Sequence, residues 1–358
     1  MTVAMRVRAL LMVVRPPVLA LLAIYTALGV TSGSPAHTAG APPLLTTGQA
    51  LVPVIAFLMF SVACNDVADE RIDRINLPGD RRRPLVSGGI GPNGMRVVAV
   101  VCAVVALAGG LLVSPWAAAV TAVGLAISAA YSLRPVRIAD RGVLASLTLP
   151  ACYVAVPFLV GRLAAGAEAG AWAGAGGRPG ARELLLLAGL YVGFIGRILL
   201  KDFRDVRGDA LFGKRTFLVR HGRVPTCRLS AVCWTLGSAL LVAGAPGGPA
   251  PAFVTTIAAQ LAVVLWLLRR IAHETHPHRE ELLICAAAIV GRGVMTVTLA
   301  QLSMGPLHWS AWGQTAVLAA LVVLTLGQTW TMVRYGPGGR RRYVPARYRQ
   351  DERETAAA

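Results

Sequence analysis

Long apolar runs separated by short polar connections set the pattern of this chain. Runs at about 12–31, 48–64, 96–113, 115–131, 143–161, 184–200, 228–245, 252–268, 282–304 and 313–333 are each close to the roughly 20 residues that a helix needs to cross a bilayer. They predict an all-α fold, a polytopic transmembrane bundle of nine or ten helices. The opening MTVAMRVRALLMVVRPPVLALL is interrupted by Arg15, Pro16 and Pro17 and flows into the first full-length run. A cleavable leader is therefore not expected.

The connections differ in charge from side to side. Loops after passes one, three, seven and nine carry no Lys or Arg. Only the stretch near 162–182 on that side is basic, with Arg162, Arg178 and Arg182 set against Glu168 and Glu183. The other side holds Arg6 and Arg8, a cluster from Arg71 to Arg83, Arg134, Arg137 and Arg141. The 201–223 segment, Arg269, Arg270 and an arginine-rich tail from Arg334 to Arg353 complete it. Positive loops stay in the cytoplasm, so a multi-pass protein of the cell membrane with both termini inside is expected.

Composition sharpens this picture. Of the 358 residues 55% are hydrophobic and 15% charged, with a mean hydropathy of +0.61. Soluble domains are about 25% charged, and disordered chains are far less apolar, so both classes are excluded. The net charge of +18 is spread over connections rather than gathered in one domain. It points to lipid headgroups, not nucleic acid, and no obligate protein partner is indicated. The cysteines Cys64, Cys102, Cys152, Cys227, Cys233 and Cys285 form no CxxC pair and read as small core residues.

Acidic residues are scarce, and their placement is informative. Six of the nine aspartates fall in two short stretches at the ends of apolar runs: NDVADERID, with Asp66, Asp69 and Asp73, and KDFRDVRGD, with Asp202, Asp205 and Asp209. Both triplets are spaced i, i+3, i+7, which on a helix lines carboxylates along one face. Such rows suit hard divalent cations, Mg²⁺ above all, which take a few carboxylates plus phosphate oxygens and water. Solvated charged loops are the bland alternative, which two identical triplets make hard to sustain.

The chain's two lysines, Lys201 and Lys214, both flank the second triplet, where a compact, movable ammonium is suited to an anionic ligand. Arg81, Arg82 and Arg83 follow the first triplet and meet either a diphosphate or lipid headgroups. Arg197 and Arg292 lie inside apolar runs, where a charge is costly and faces a cavity or a carboxylate. Arg197 is the better phosphate ligand, and Arg292 fits a structural pair equally well. The histidines of HETHPH, at 273–278, lie among charged neighbours and are not expected to bind metal.

With these residues in view, the chain resembles the UbiA superfamily of intramembrane prenyltransferases over about residues 10–304. NDVADERIDRINLPGDRRRPLVSGGI and KDFRDVRGDALFGKRTFLVRHG match that family's two aspartate signatures, 136 residues apart. RP at Arg15–Pro16 and YSLRPVRI at 131–138 fit its pattern too. The resemblance implies a helical bundle around a central cavity open to the cytoplasmic side. It divides the chain into a UbiA-like domain (1–304), an additional C-terminal transmembrane helix (305–335) and a basic cytoplasmic tail (336–358).

The resemblance also implies roles. Asn65, Asp66 and Asp69 hold one Mg²⁺ with Asp73 in support; Asp202 and Asp205 hold another, supported by Asp209. Lys201, Arg197 and an arginine after the first motif, Arg81 or Arg83, neutralise the diphosphate, with Lys214 nearby. Tyr131, expected on a capping loop, orients the diphosphate or acceptor, or belongs to an interfacial aromatic belt. The implied reaction is Mg²⁺-assisted ionisation of a polyprenyl diphosphate and transfer to an aromatic or other small acceptor. A membrane terpene cyclase, which uses the same ionisation without an acceptor, is the alternative. A cation transporter is disfavoured, because transport sites lie near the bilayer midplane.

Overall fold

The computed structural model describes residues 13–33, 43–76, 84–168, 179–203, 206, 216–245, 250–304 and 310–336. Regular structure among them is entirely helical. The first half comprises α1 (Pro16–Gly33), α2 (Pro43–Ala68), the short α3 (Glu70–Asn76), α4 (Pro92–Val113), α5 (Pro115–Ser132), α6 (Val143–Pro150) and α7 (Val156–Glu168). The second comprises α8 (Ala181–Leu199), the short α9 (Phe217–His221), α10 (Arg223–Ala243), α11 (Pro251–His273), α12 (Pro277–Met304) and α13 (Ala311–Tyr335).

Nine segments among the described residues are long and apolar enough to cross a membrane. The tenth expected pass is α8, of spanning length but with Arg182, Glu183 and Arg197 near its ends. α6 and α7 form one passage through a π-helical turn, Ala151–Ala155, directly after Pro150. Such turns break the regular helix register and recur at functional sites.

Packing divides the bundle into two cores. One gathers buried side chains of α8, α10, α11 and α12; the other gathers those of α2, α4 and α5. α1 and the π-turn–α7 passage feed both cores. Lipid tails offer helices little hydrophobic drive to associate, so close backbone approach carries more of the stability. It is closest where α1 crosses α7. A Cβ on Gly29 would fall 2.0 Å from the Phe158 carbonyl oxygen, and one on Gly161 would fall 2.2 Å from that of Thr26.

Polarity is inverted on the outside. Val97, Val100 and Val104 of α4 and Val323, Leu324 and Trp330 of α13 are exposed, a face suited to lipid and unsuited to water. Several buried hydroxyls bond within their own helices: Thr26, Thr121 and Thr298 donate to carbonyls one turn back at 2.8–2.9 Å, whereas Ser230 of α10 donates across to Gly196 O of α8 at 2.7 Å. The described cysteines are all free, and five of the six are buried. α13 packs on α11 and α12.

Candidate active site

The first acidic stretch straddles the end of α2. The helix carries Asn65 and Asp66, stops at Ala68, bends at Asp69 and resumes as α3 at Glu70. Backbone bonds from Asp69 N to Asn65 O (2.9 Å) and from Asp73 N to Asp69 O (2.8 Å) carry the helical register across the bend.

Two arginines from elsewhere in the chain meet these carboxylates. Asp66, only 3% exposed, is ion-paired with Arg15. Arg15 immediately precedes Pro16, which opens α1; a residue before proline is pushed out of the right-handed helical region, and Arg15 takes φ 49°. Asp69 accepts from Arg137 Nη2 at 2.7 Å and, on its other oxygen, from the Asn65 amide at 2.7 Å. The same guanidinium donates to the Ala68 carbonyl at 3.1 Å and to Asp140 at 2.6 Å. Arg137 thereby fastens the α5–α6 connector over the end of α2. Carboxylates removed from water need such partners, since an unpaired buried charge is very costly.

Helical register continues through the bend at Asp69, and within the first triplet Asp66 and Asp69 turn to different arginines. Among the described residues no three His, Cys, Asp or Glu side chains gather as a metal-binding group, those of 273–278 included. Tyr131 sits in the last turn of α5, half-buried, not on a loop. Asp73 is half-buried in α3, and Lys201 and Asp202 are half-buried just beyond α8. Arg292 is half-buried in α12. Arg81, Arg83, Asp205, Asp209 and Lys214 lie outside the described residues.

Aromatic side chains link the two acidic stretches. Arg197, in the last turn of α8, lies 6.0 Å from the centroid of the Phe194 ring. Phe194 meets Tyr25 of α1 edge-on at 6.4 Å and stacks on Tyr153 of the π turn at 6.1 Å with 10° between planes. The Tyr153 hydroxyl lies 3.4 Å from Ser61 Oγ, on the same helix as Asn65 and Asp66. On the far side of the second motif, Arg223 packs 5.2 Å over the Phe203 ring, donates to the Ile271 carbonyl at 3.2 Å and pairs with Glu280. It ties the ends of α10, α11 and α12 to the chain just after Asp202.

Sequence reasoning quoted Arg15 and Arg137 as pattern but gave them no role in the site. Their signal was proximity to proline in RP and RPVR. Tyr25, Tyr153 and Phe194 gave none, being ordinary aromatics in apolar runs.

The donor set suits a hard divalent cation. Asn65, Asp66 and Asp69 present amide and carboxylate oxygens without sulfur or imidazole, the chemistry Mg²⁺ prefers. An all-helical bundle with apolar spans and a cluster of arginine-paired carboxylates at a helix end defines a membrane protein with a polar site at one end of its helices. The UbiA prenyltransferase family model matches residues 20–289, and the chain belongs to that family of membrane prenyltransferases.

Relatives agree. The chain is 26% identical over 228 residues to the bacteriochlorophyll synthase 33 kDa chain of Cereibacter sphaeroides, covering 63% of this chain and 69% of that one. It is 30% identical over 209 residues to digeranylgeranylglyceryl phosphate synthase of Methanopyrus kandleri, covering 58% and 68%. The fold resembles a UbiA homologue from Archaeoglobus fulgidus bound to DMAPP and Mg²⁺, with TM-score 0.54, 14% identity and coverage of 90% and 98%. The cyclase alternative gains no support from these relatives.

Proposed function

We propose that this enzyme transfers the prenyl group of a polyprenyl diphosphate, of geranylgeranyl size, to an aromatic or other small acceptor at the cytoplasmic face of the cell membrane, with Mg²⁺ as cofactor. The observation that carries the reading is the pairing of the buried Asp66 with Arg15 and of Asp69 with Arg137 at the end of the bundle where Arg197 stands in the last turn of α8 and Lys201 and Asp202 follow it. The chain length is suggested by the digeranylgeranylglyceryl phosphate synthase relative. The cytoplasmic orientation rests on the arginine-rich connections at this end.

Asn65, Asp66 and Asp69, with Asp73 in support, form one metal-binding set; Asp202 and Asp205, with Asp209, form the other. When bound, Mg²⁺ supplies positive charge that makes diphosphate a competent leaving group. Arg197, Lys201, Lys214 and Arg81 or Arg83 neutralise the remaining phosphate oxygens, and Tyr131 orients the diphosphate or acceptor from the end of α5. Fixed charges in a site the bundle keeps dry act far more strongly than they would in water. Residues 1–304 carry this activity in a cavity opening at this end; α13 and the basic tail are an addition.

The test is purified protein in liposomes with geranylgeranyl diphosphate, Mg²⁺ and a pool of aromatic, quinone-precursor and glyceryl phosphate acceptors, read by mass spectrometry. A prenylated acceptor that requires Mg²⁺ is expected. Diphosphate release giving only cyclic hydrocarbons, or no prenyl product at all, overturns the reading.

A further inference from the structure

We propose that the ring of Tyr153 is the surface against which the prenyl cation forms, an inference that rests on the prenyltransfer reading above. Tyr153 lies in the π turn that interrupts the α6–α7 passage, and its ring packs against both cores of the bundle. It is nonetheless only half-buried. The surface it leaves open is assigned to the seam between the two halves.

Its surroundings fix it there. Phe194 backs one face at 6.1 Å, and Ser61 holds the hydroxyl at 3.4 Å. Ser61 lies one helical turn before Asn65, on the helix that also carries Asp66. Phe194 in turn lies one turn before Arg197. The ring thus sits beneath both charged motifs, one turn deeper in the membrane. A donor whose diphosphate is held by the motifs would place its first carbons at that depth.

A second observation marks the same spot as built for a ligand. Tyr25, fully buried and edge-on to Phe194, has a hydroxyl with no hydrogen-bond partner. A buried hydroxyl left unsatisfied is costly; an acceptor or a water brought in with the substrate relieves it.

The chemistry is balanced. The allylic C1–O bond breaks with both electrons leaving on the diphosphate oxygen, and positive charge spreads over C1 and C3. The acceptor's nucleophilic atom then forms the new bond to C1 and loses its proton to the departing diphosphate or water. An aromatic face attracts a cation through its quadrupole, and this attraction grows only as the bond ionises. It therefore lowers the barrier without tightening ground-state binding.

The experiment reads ionisation without any acceptor. Geranylgeranyl diphosphate labelled with ¹⁸O at the bridging position scrambles its label each time the C–O bond breaks and re-forms. Tyr153→Leu should slow this exchange about 30-fold, and Tyr153→Phe, which keeps the ring, should lose less. Phenylalanines with one, two and three ring fluorines at position 153 should slow it stepwise, while binding of the unreactive thiolodiphosphate analogue with Mg²⁺ stays constant. A flat fluorine series, or a loss of exchange that tracks a loss of analogue binding, overturns the role of Tyr153 alone. No exchange by the unaltered protein with any prenyl diphosphate overturns the prenyltransfer reading instead.

Discussion

Arg137 donates from Nη2 to the Asp69 carboxylate at 2.7 Å across 68 residues of chain, and through its other nitrogens it also holds Ala68 O and Asp140. One side chain thus secures both the first acidic stretch and the connector laid over it. Arg137→Ala should lower turnover at least about tenfold and raise the Mg²⁺ needed for half-activity, since removing one partner of a buried pair strands the other. Arg137→Lys should recover little, because an ammonium cannot reproduce a planar three-way fork. Asp140, 42% exposed, matters less, and Asp140→Asn should cost under about threefold, as exposed pairs contribute little. Mg²⁺ titrations of turnover in nanodiscs check all three.

Asp66 is the most buried acid of the first motif described here, 3% exposed against Arg15. Asp66→Asn keeps its shape and removes its charge. Turnover should fall about 100-fold or more, the scale of losing a principal electrostatic group from an active site. Far-UV circular dichroism and membrane insertion should be unchanged. Geranylgeranyl diphosphate with Mg²⁺ should raise the melting temperature of the unaltered protein by binding linkage and leave that of Asp66→Asn where it was. An equal thermal shift in both would remove Asp66 from the site.

Sequence patterns revealed the helical passes because each apolar run is a local property, and lipid leaves few other ways to satisfy a backbone. They also revealed both acidic stretches, because aspartate is rare here and its spacing stands out. The partners of those acids were less legible. Arg15 lies 51 positions before Asp66, and only the proline after it sets it apart from most of the chain's interfacial arginines. The bend at Asp69 was hidden for a related reason: the i, i+3, i+7 spacing is the same for a straight and a bent helix, and the Arg137 contacts that hold the bend come from 68 residues away. Tyr153 could not be singled out at all, since its position depends on a π turn that shifts register within an otherwise ordinary apolar run.

The α1–α7 crossing tolerates no Cβ. Gly29→Ala or Gly161→Ala would place a methyl 2.0 or 2.2 Å from a carbonyl oxygen of the facing helix, so the backbones must separate. Each substitution should destabilise the protein by about 1–3 kcal/mol, the usual cost of overpacking. Gly48→Ala in α2 is the control: it has open space within 4 Å and is exposed, so the gain in helix propensity should leave stability equal or slightly higher. Thermal unfolding in detergent separates the two classes. Equal melting temperatures for Gly29→Ala and Gly48→Ala would mean the helices are not so closely seated.

Arg162 and Glu183 form a pair at the end of the bundle opposite the acidic motifs, joining α7 to α8 at 3.0 Å with side chains 9% and 17% exposed. Glu183 also accepts the Gly180 backbone N–H at 2.9 Å, so it caps α8 while neutralising Arg162. Glu183→Gln should therefore destabilise the protein by about 1–3 kcal/mol, because it weakens a charged hydrogen bond to a buried guanidinium and the cap of α8. Replacing both groups, as Arg162→Met with Glu183→Leu, should cost less than the single change. The double variant loses the cap but removes both charges of this pair, and hydrophobic replacements of buried pairs are often neutral or better. A double-mutant cycle on unfolding measures the difference. Prenyltransfer per folded molecule should stay the same throughout, since this pair touches neither acidic stretch. Costs that simply add would show that the pair is solvated and contributes nothing of its own.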